Sequence, residues 1–529
     1  MDDDDDKIST LPEPMKHHIL SFLPSIKEVA RTSSLSESWL QTWRSFQITD
    51  FEQWLVLPRY EILYRGSEYN DPCVRFVDSA LMRSRHGMPR FRLIVTLDMA
   101  PHIDRWLGTA LDYHVQELSL NITSNGMDLF DDDLPALPYL IPGKVLSCEF
   151  IKSLTLDSPV KIDRISSVSL PSLRSLHLLY SLIDNQMFRT LLGGCPLLEG
   201  LSVISCSPLS ELKVSNLNYL KRVTVVSCND PEINAVSIQS PSLESFSLKS
   251  EYGCDKDIGL VVNVSSSLRY LEITNLDKTD DWLRQFLSKF PLLESLTLKG
   301  CRLLQRIKIS NPLLKKMSIK NCGLVDIRID APKLSSFYYE TRRTLPSVWT
   351  ENPPYSSVVG LGFRYYFAED PSSLCFEELR ESFTRWSAIF GCLESTVLFY
   401  EMDEGMKDGM NEKLALSAPG VHHLKLVFDA TQSSCLLILD CLFSTCRPTT
   451  ILLRLSYPLL KIICEVLASR EENPKGCPCE VKCWKHELKD AKIDRVEGIQ
   501  HRGPLDWHSL FNLLPTLLAS NEVRFRLQW

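Results

Sequence analysis

Cys477, Cys479, Cys483 and His486 stand close together in CPCEVKCWKHE, and three thiols with an imidazole could hold zinc as a Cys-Cys-Cys-His set. The spacing C-x-C-x-x-x-C is not the usual zinc knuckle, so unmetallated thiols in a loop are the expected state. Cys206, Cys228, Cys301 and Cys322 each occur singly, without the paired C-x-x-C spacing of a metal site. The pairs His17-His18 and His422-His423 are sequence neighbours, which point apart on a helix or a strand. Phosphate-loop, H-E-x-x-H and G-x-S-x-G motifs do not occur, and Gly360-Leu361-Gly362 lacks the third glycine of a dinucleotide loop. The residues that could do chemistry therefore point to no enzyme, no cofactor and no metal, and the function is sought in binding.

The elements that would carry a binding surface are periodic. Eight units follow L-x-x-L-x-L, beginning at Leu173, Leu198, Leu220, Leu243, Leu268, Leu293, Leu314 and Leu334, in steps of 25, 22, 23, 25, 25, 21 and 20 residues. That template and period are the signature of leucine-rich repeats. Each L-x-L predicts a short strand with alternate side chains inward, and stacked turns give an α/β solenoid with a parallel sheet. The return paths after Leu173 and Leu268 predict helices in NQMFRTLLGGC and DDWLRQFLSKF. Second apolar triplets at Leu209/Leu212/Val214, Ile233/Val236/Ile238, Leu304/Ile307/Ile309 and Leu324/Ile327/Ile329 predict extended segments on the other side. The four single cysteines all lie eight residues after a first leucine, a slot for a small inward residue that can bond loop backbone. From 341 to 415 the rhythm fades, and apolar pulses return near VHHLKLVFD and TTILLRLSY.

Ahead of the array, Met15, Ile19, Leu20 and Leu23 mark one face of a helix ended by Pro24. Ile26, Val29 and Ala30 start a second, and Leu35, Trp39, Leu40 and Trp43 mark a third that ends near Phe46. Three such short helices bury too little to stand alone, so the module is expected to pack on a partner or on the next domain.

The residues Ile8, Leu11, Pro12, Ile19, Leu20, Leu23 and Pro24, followed by Val29, Arg31, Thr32, Ser33, Leu35, Ser36, Trp39 and Trp43, resemble a plant F-box in order and spacing. Glu37-Ser38 stands where the family usually has Lys-Arg. With the array, the whole resembles plant F-box/leucine-rich-repeat proteins, and GGCPLLEGL and CWKHELKDAKIDRVEG are similar to grass members in particular. The resemblance implies the substrate receptor of an SCF-type (cullin-RING) ubiquitin ligase. The F-box would bind a Skp-family adaptor, and through it cullin, while the array binds a target protein. It implies Leu11, Pro12, Ile19, Leu20, Leu23, Pro24, Leu35, Trp39 and Trp43 as the adaptor-facing or supporting set. Glu37-Ser38 keeps open a second reading, a protein-binding scaffold outside any ligase. A hormone-sensing role has no basic pocket in the sequence to support it.

The expected organisation is an acidic leader at 1–7, the F-box at 8–50, a helical linker at 51–90, the array at 91–340, an irregular insertion-containing segment at 341–420 and a repeat-like end at 421–529. The chain of 529 residues has 58 Lys+Arg against 66 Asp+Glu, a charge of −8 that leaves no basic footprint for nucleic acid. No apolar run reaches the roughly 20 residues of a membrane span. With 17 cysteines, an odd number, and no secretory signal, an intracellular place in the nucleus and/or cytoplasm is expected.

Overall fold

A computed structural model describes residues 8, 10–23, 26–46, 48–53, 71–83, 88–123, 138–157, 159–163, 167–227, 233–250, 258–263, 267–341, 346–350, 358–366, 380–381, 383–386, 392–400, 420–429, 439–440, 442–454, 456–472, 484–496, 506–516 and 522–529. Leu11, Pro12 and the other F-box positions fall within them, but Pro24, Cys228, Cys477, Cys479 and Cys483 do not, nor does the side chain of His486. The zinc question therefore lies outside the described residues. The chain divides into two compact units, Met1–Leu268 and Arg269–Trp529.

In the first unit, three short helices lead into a sheet whose strands all run parallel. Asp50–Glu52 pairs with Arg90–Thr96, followed by Glu117–Thr123, Ser153–Asp157, Ser175–Leu179, Gly200–Ile204, Arg222–Ser227 and Ser245–Ser250. Equivalent leucine slots stack in register, Leu176 on Leu201 on Val223 on Phe246, and all four are buried. Each such side chain contributes roughly 1.5–3 kcal/mol by leaving water. The expected helix after Leu173 is Asn185–Gly193, capped by the Asp184 carboxylate, which accepts from Met187 N at 2.7 Å. Farther along, the return path is extended, and Glu211–Val214, Ala235–Gln239 and Gly259–Asn263 form a second parallel sheet. The helices Asp71–Arg83 and Ala100–Asp112 each lie in sequence between two strands that pair in parallel.

The second unit repeats the plan. Tyr270–Thr274, Ser295–Lys299, Lys316–Lys320, Ser336–Thr341, Val358–Tyr366, Cys392–Tyr400, Gly420–Asp429 and Arg447–Arg454 are parallel throughout. Parallel pairing thus continues through the stretch where the leucine rhythm fades. Phe337 stacks on Trp386 with ring centroids 5.4 Å apart, and both are fully buried. Arg306–Ser310, Asp326–Asp330 and Ser347–Thr350 make the second sheet, and Asp280–Leu287 is the expected helix after Leu268. The end of the chain departs from the repeat: Val523–Gln528 pairs antiparallel with Arg447–Arg454, and Asp490–Val496 antiparallel with Val523–Gln528. The short helix Trp484–Glu487 precedes the strand Asp490–Val496.

The cysteine slot has a backbone cause. Tyr180, Ser205, Asn275, Gly300 and Asn321 stand just past their strands with φ between 49° and 64°. This left-handed step aims the next residue inward, and Ser181, Cys206, Leu276, Cys301 and Cys322 are all buried. A Cβ at Gly300 would meet Asn275 Oδ1 at 2.0 Å, so a side chain there would displace the Asn275 amide. Cys206 Sγ lies 3.6 Å from the Leu178 and Ile204 carbonyls, and Cys322 Sγ 3.5 Å from that of Lys320. Burial pushes the Cys206 thiol up to about 11. A small, neutral, weakly donating group suits the turn.

Candidate functional site

The N-terminal module is built by α1 (Glu13–Leu20), α2 (Ile26–Arg31) and α3 (Glu37–Ser45). Pro12 and Pro14 suit the start of α1, where the first amides have no intrahelical acceptor. The Ser36 hydroxyl caps α3 by accepting from Trp39 N at 3.3 Å. Leu20, Val29 and Trp39 form the core, with Leu23, Ile26, Trp43 and Phe46 packed against it.

This core divides the residues singled out from the sequence. Leu20 and Trp39 are interior, while Leu23 and Trp43 are half-buried supports. Leu11 is half-buried, and Pro12 is exposed beside it. Ile19 and Leu35 face outward, with Leu35 69% exposed. The apolar positions of the first helix thus belong to two faces rather than one. Leu20 and, in the turn that follows the helix, Leu23 are inward, whereas Met15 and Ile19, with Phe22 in that same turn, face outward. The i, i+4, i+7 spacing of Met15, Ile19 and Phe22 is the signal that separates them. Phe22 is 74% exposed and Ile8 56%, and neither was assigned as a site position by the sequence pattern.

A polar brace underlies the outer face. Lys16 is buried, and its Nζ donates to Ser38 Oγ at 2.6 Å and to Glu13 Oε1 at 3.4 Å. Thr42 Oγ1 donates to the same Glu13 oxygen at 3.0 Å. Partial burial opposes ionisation of Glu13, but the Thr42 and Lys16 hydrogen bonds prevail and hold its carboxyl below the ordinary range. Ser38, the departure from the usual Lys-Arg pair, is thus the partner of an internal lysine. We expect Ser38→Ala to cost the module about 1–2 kcal/mol, because Lys16 loses its shortest partner in a buried place. Lys16→Met together with Ser38→Ala should recover most of it. Hydrogen exchange of amides in residues 13–45 measures both; equal protection in Ser38→Ala and wild type would show that the brace contributes nothing.

Among the described residues, no group of three or more His, Cys, Asp or Glu side chains is placed to hold a metal ion, and no helix is long and apolar enough to cross a membrane.

The comparisons with known proteins agree with this architecture. The leucine-rich-repeat domain family described as At1g61320/AtMIF1 matches residues 83–256 and 259–351, half of the chain. The chain is 31% identical over 256 residues to the F-box/LRR-repeat protein At3g26922 of Arabidopsis thaliana, covering 46% of this chain and 76% of that relative. It is 30% identical over 250 residues to the F-box/FBD/LRR-repeat protein At4g00160 of the same plant, covering 45% and 50% respectively. With the F-box/LRR-repeat protein At3g58930, also from that plant, it shares 28% over 250 residues, again 45% and 50%. The chain spans about half the length of two of these relatives. They come from Arabidopsis, and the likeness to grass members in particular finds no support in them. Repeat template, parallel sheet, N-terminal helices and relatives converge: this chain belongs to the plant F-box/leucine-rich-repeat protein family.

Proposed function

We propose that the chain is the substrate-recognition subunit of an SCF-type ubiquitin ligase, acting in the nucleus and/or cytoplasm. Its helical module docks on a Skp-family adaptor, and through it cullin, while the repeat array holds a target protein. The observation that carries the reading is the outward apolar set Met15, Ile19, Phe22 and Leu35, which stands apart from the module's core of Leu20, Val29 and Trp39. Large apolar side chains that find no place in their own core suit an interface, where such residues supply most of the binding energy. The receptor itself then performs no chemical step. Holding the target near a charged enzyme raises the effective concentration of its lysines.

Co-purification of the full chain with a plant Skp-family protein tests the reading, with cullin and target recovered under proteasome inhibition. Stoichiometric capture is expected. A folded chain that captures no adaptor would favour the scaffold reading, for which Glu37-Ser38 is the motivating feature. The Lys16–Ser38 contact gives that departure an internal role and so weakens the case for the scaffold.

A further inference from the structure

On the outward face of the first unit's main sheet, Ser175, Gly200 and Arg222 are partners in register on three successive strands. Gly200 has no side chain, and the Arg222 side chain lies across the gap. A Cβ built on Gly200 would stand 3.5 Å from Arg222 Nη2, 3.9 Å from Nε and 3.6 Å from Ser175 Oγ. The Ser175 hydroxyl is 2.8 Å from His177 Nε2. Burial, and then the Arg222 charge, hold the His177 imidazole below its ordinary range and so favour its neutral form.

Among the described residues no carboxylate pairs with this guanidinium. Arg222 has no ion pair or hydrogen bond from its side chain among the described residues. The near acid, Glu199, is already taken by Arg174 at 2.5 Å and Lys221 at 3.3 Å. The positions paired in register with His177 and Arg222 on the flanking strands are Thr155, Ser202 and Ser245, with Gly200 between them. An exposed guanidinium therefore lies beside the Ser175–His177 pair on a surface of hydroxyls, without an ion pair among the described residues.

We infer that Ser175, His177 and Arg222 form an oxyanion site on the array that takes the carboxylate of an acidic segment in a bound protein. The guanidinium fork fits a carboxylate through two parallel N–H···O bonds, and the Ser175–His177 pair offers a further donor at its edge. One uncompensated positive charge matches one carboxylate, whereas a phosphoryl group of nearly two charges calls for a second free cation, and Lys221 is engaged. The inference rests on the array being the target-holding part, and it is independent of adaptor capture.

The test is fluorescence anisotropy of a labelled oligo-glutamate peptide with the full chain at low ionic strength. Saturable binding is expected, weakened about tenfold by Arg222→Gln and partly restored by Arg222→Lys. Lys213→Gln removes the same charge from an exposed position on the other sheet of this unit and should leave binding within about twofold. Equal melting temperatures of the variants exclude a folding effect. Equal affinity of Arg222→Gln and wild type, or equal loss in Lys213→Gln, would overturn the site. Much tighter binding of a phosphoserine peptide of the same length would overturn the carboxylate assignment. Adaptor co-purification runs separately, so loss of either property is read without the other.

Discussion

Trp39→Ala should unfold the helical module and leave the repeat array intact. Trp39 is 5% exposed and, among the described residues, shares its core with Leu20 and Val29, the half-buried neighbours aside. Truncating a buried tryptophan costs about 3–5 kcal/mol through lost transfer energy and the cavity left behind. A three-helix core of this size has little more than that to lose. Hydrogen exchange followed by mass spectrometry should show α1–α3 amides exchanging as an unfolded chain does, while peptides within 175–250 keep wild-type protection. Persistent protection of α1–α3 would mean that the module draws its stability from elsewhere. The repeat array is insulated because each turn stacks chiefly on its neighbours, so a loss at one end spreads weakly.

The second large effect concerns binding with the fold preserved. Phe22→Asp, alone or with Leu35→Asp, should abolish adaptor capture while the module stays folded. Phe22 is 74% exposed and Leu35 69%, so a charge at either position meets water rather than core. Losing one interface anchor removes about 2 kcal/mol or more, roughly thirtyfold in affinity, and a buried charge deepens the loss. Met82→Asp is the matched control: Met82 is 65% exposed but lies on the helix Asp71–Arg83, outside the three-helix module. Its capture should equal wild type. Capture by Phe22→Asp at wild-type level would remove this face from the adaptor interface, and equal loss in Met82→Asp would make the effect one of surface charge alone.

The residues of the array were legible in proportion to how closely they obeyed a local rule. Leu176, Leu201, Val223 and Phe246 recur at fixed intervals because each fills the same inward slot of a stacked turn, and the sheet pairs them in register. The cysteine slot was visible as an offset, but its cause was not. The left-handed step at Asn275, Gly300 and Asn321 is a backbone event that appears in the sequence only as a scatter of Asn and Gly. Between Val358 and Tyr400 the strands remain parallel although the leucine template is lost, since a ladder is held by backbone hydrogen bonds that every residue except proline can donate. The antiparallel return of Val523–Gln528 onto Arg447–Arg454 pairs residues far apart in the chain, and no local pattern specifies it.

By itself the sequence determined the class of this protein: an α/β repeat solenoid behind a short three-helix module that resembles an F-box, without a motif for catalysis. Its period of 20 to 25 residues reflects the length of chain that closes one turn, which composition and spacing encode directly. The tertiary structure alone decided which apolar residues of the module are core and which face outward. Helical spacing identifies a face, but only packing against Trp39 and Val29 shows that Leu20 is inside while Ile19, one residue before it, is out. It likewise set Arg222 across Gly200 beside His177, since their meeting depends on strand register, and register is fixed by the stacking of separate turns.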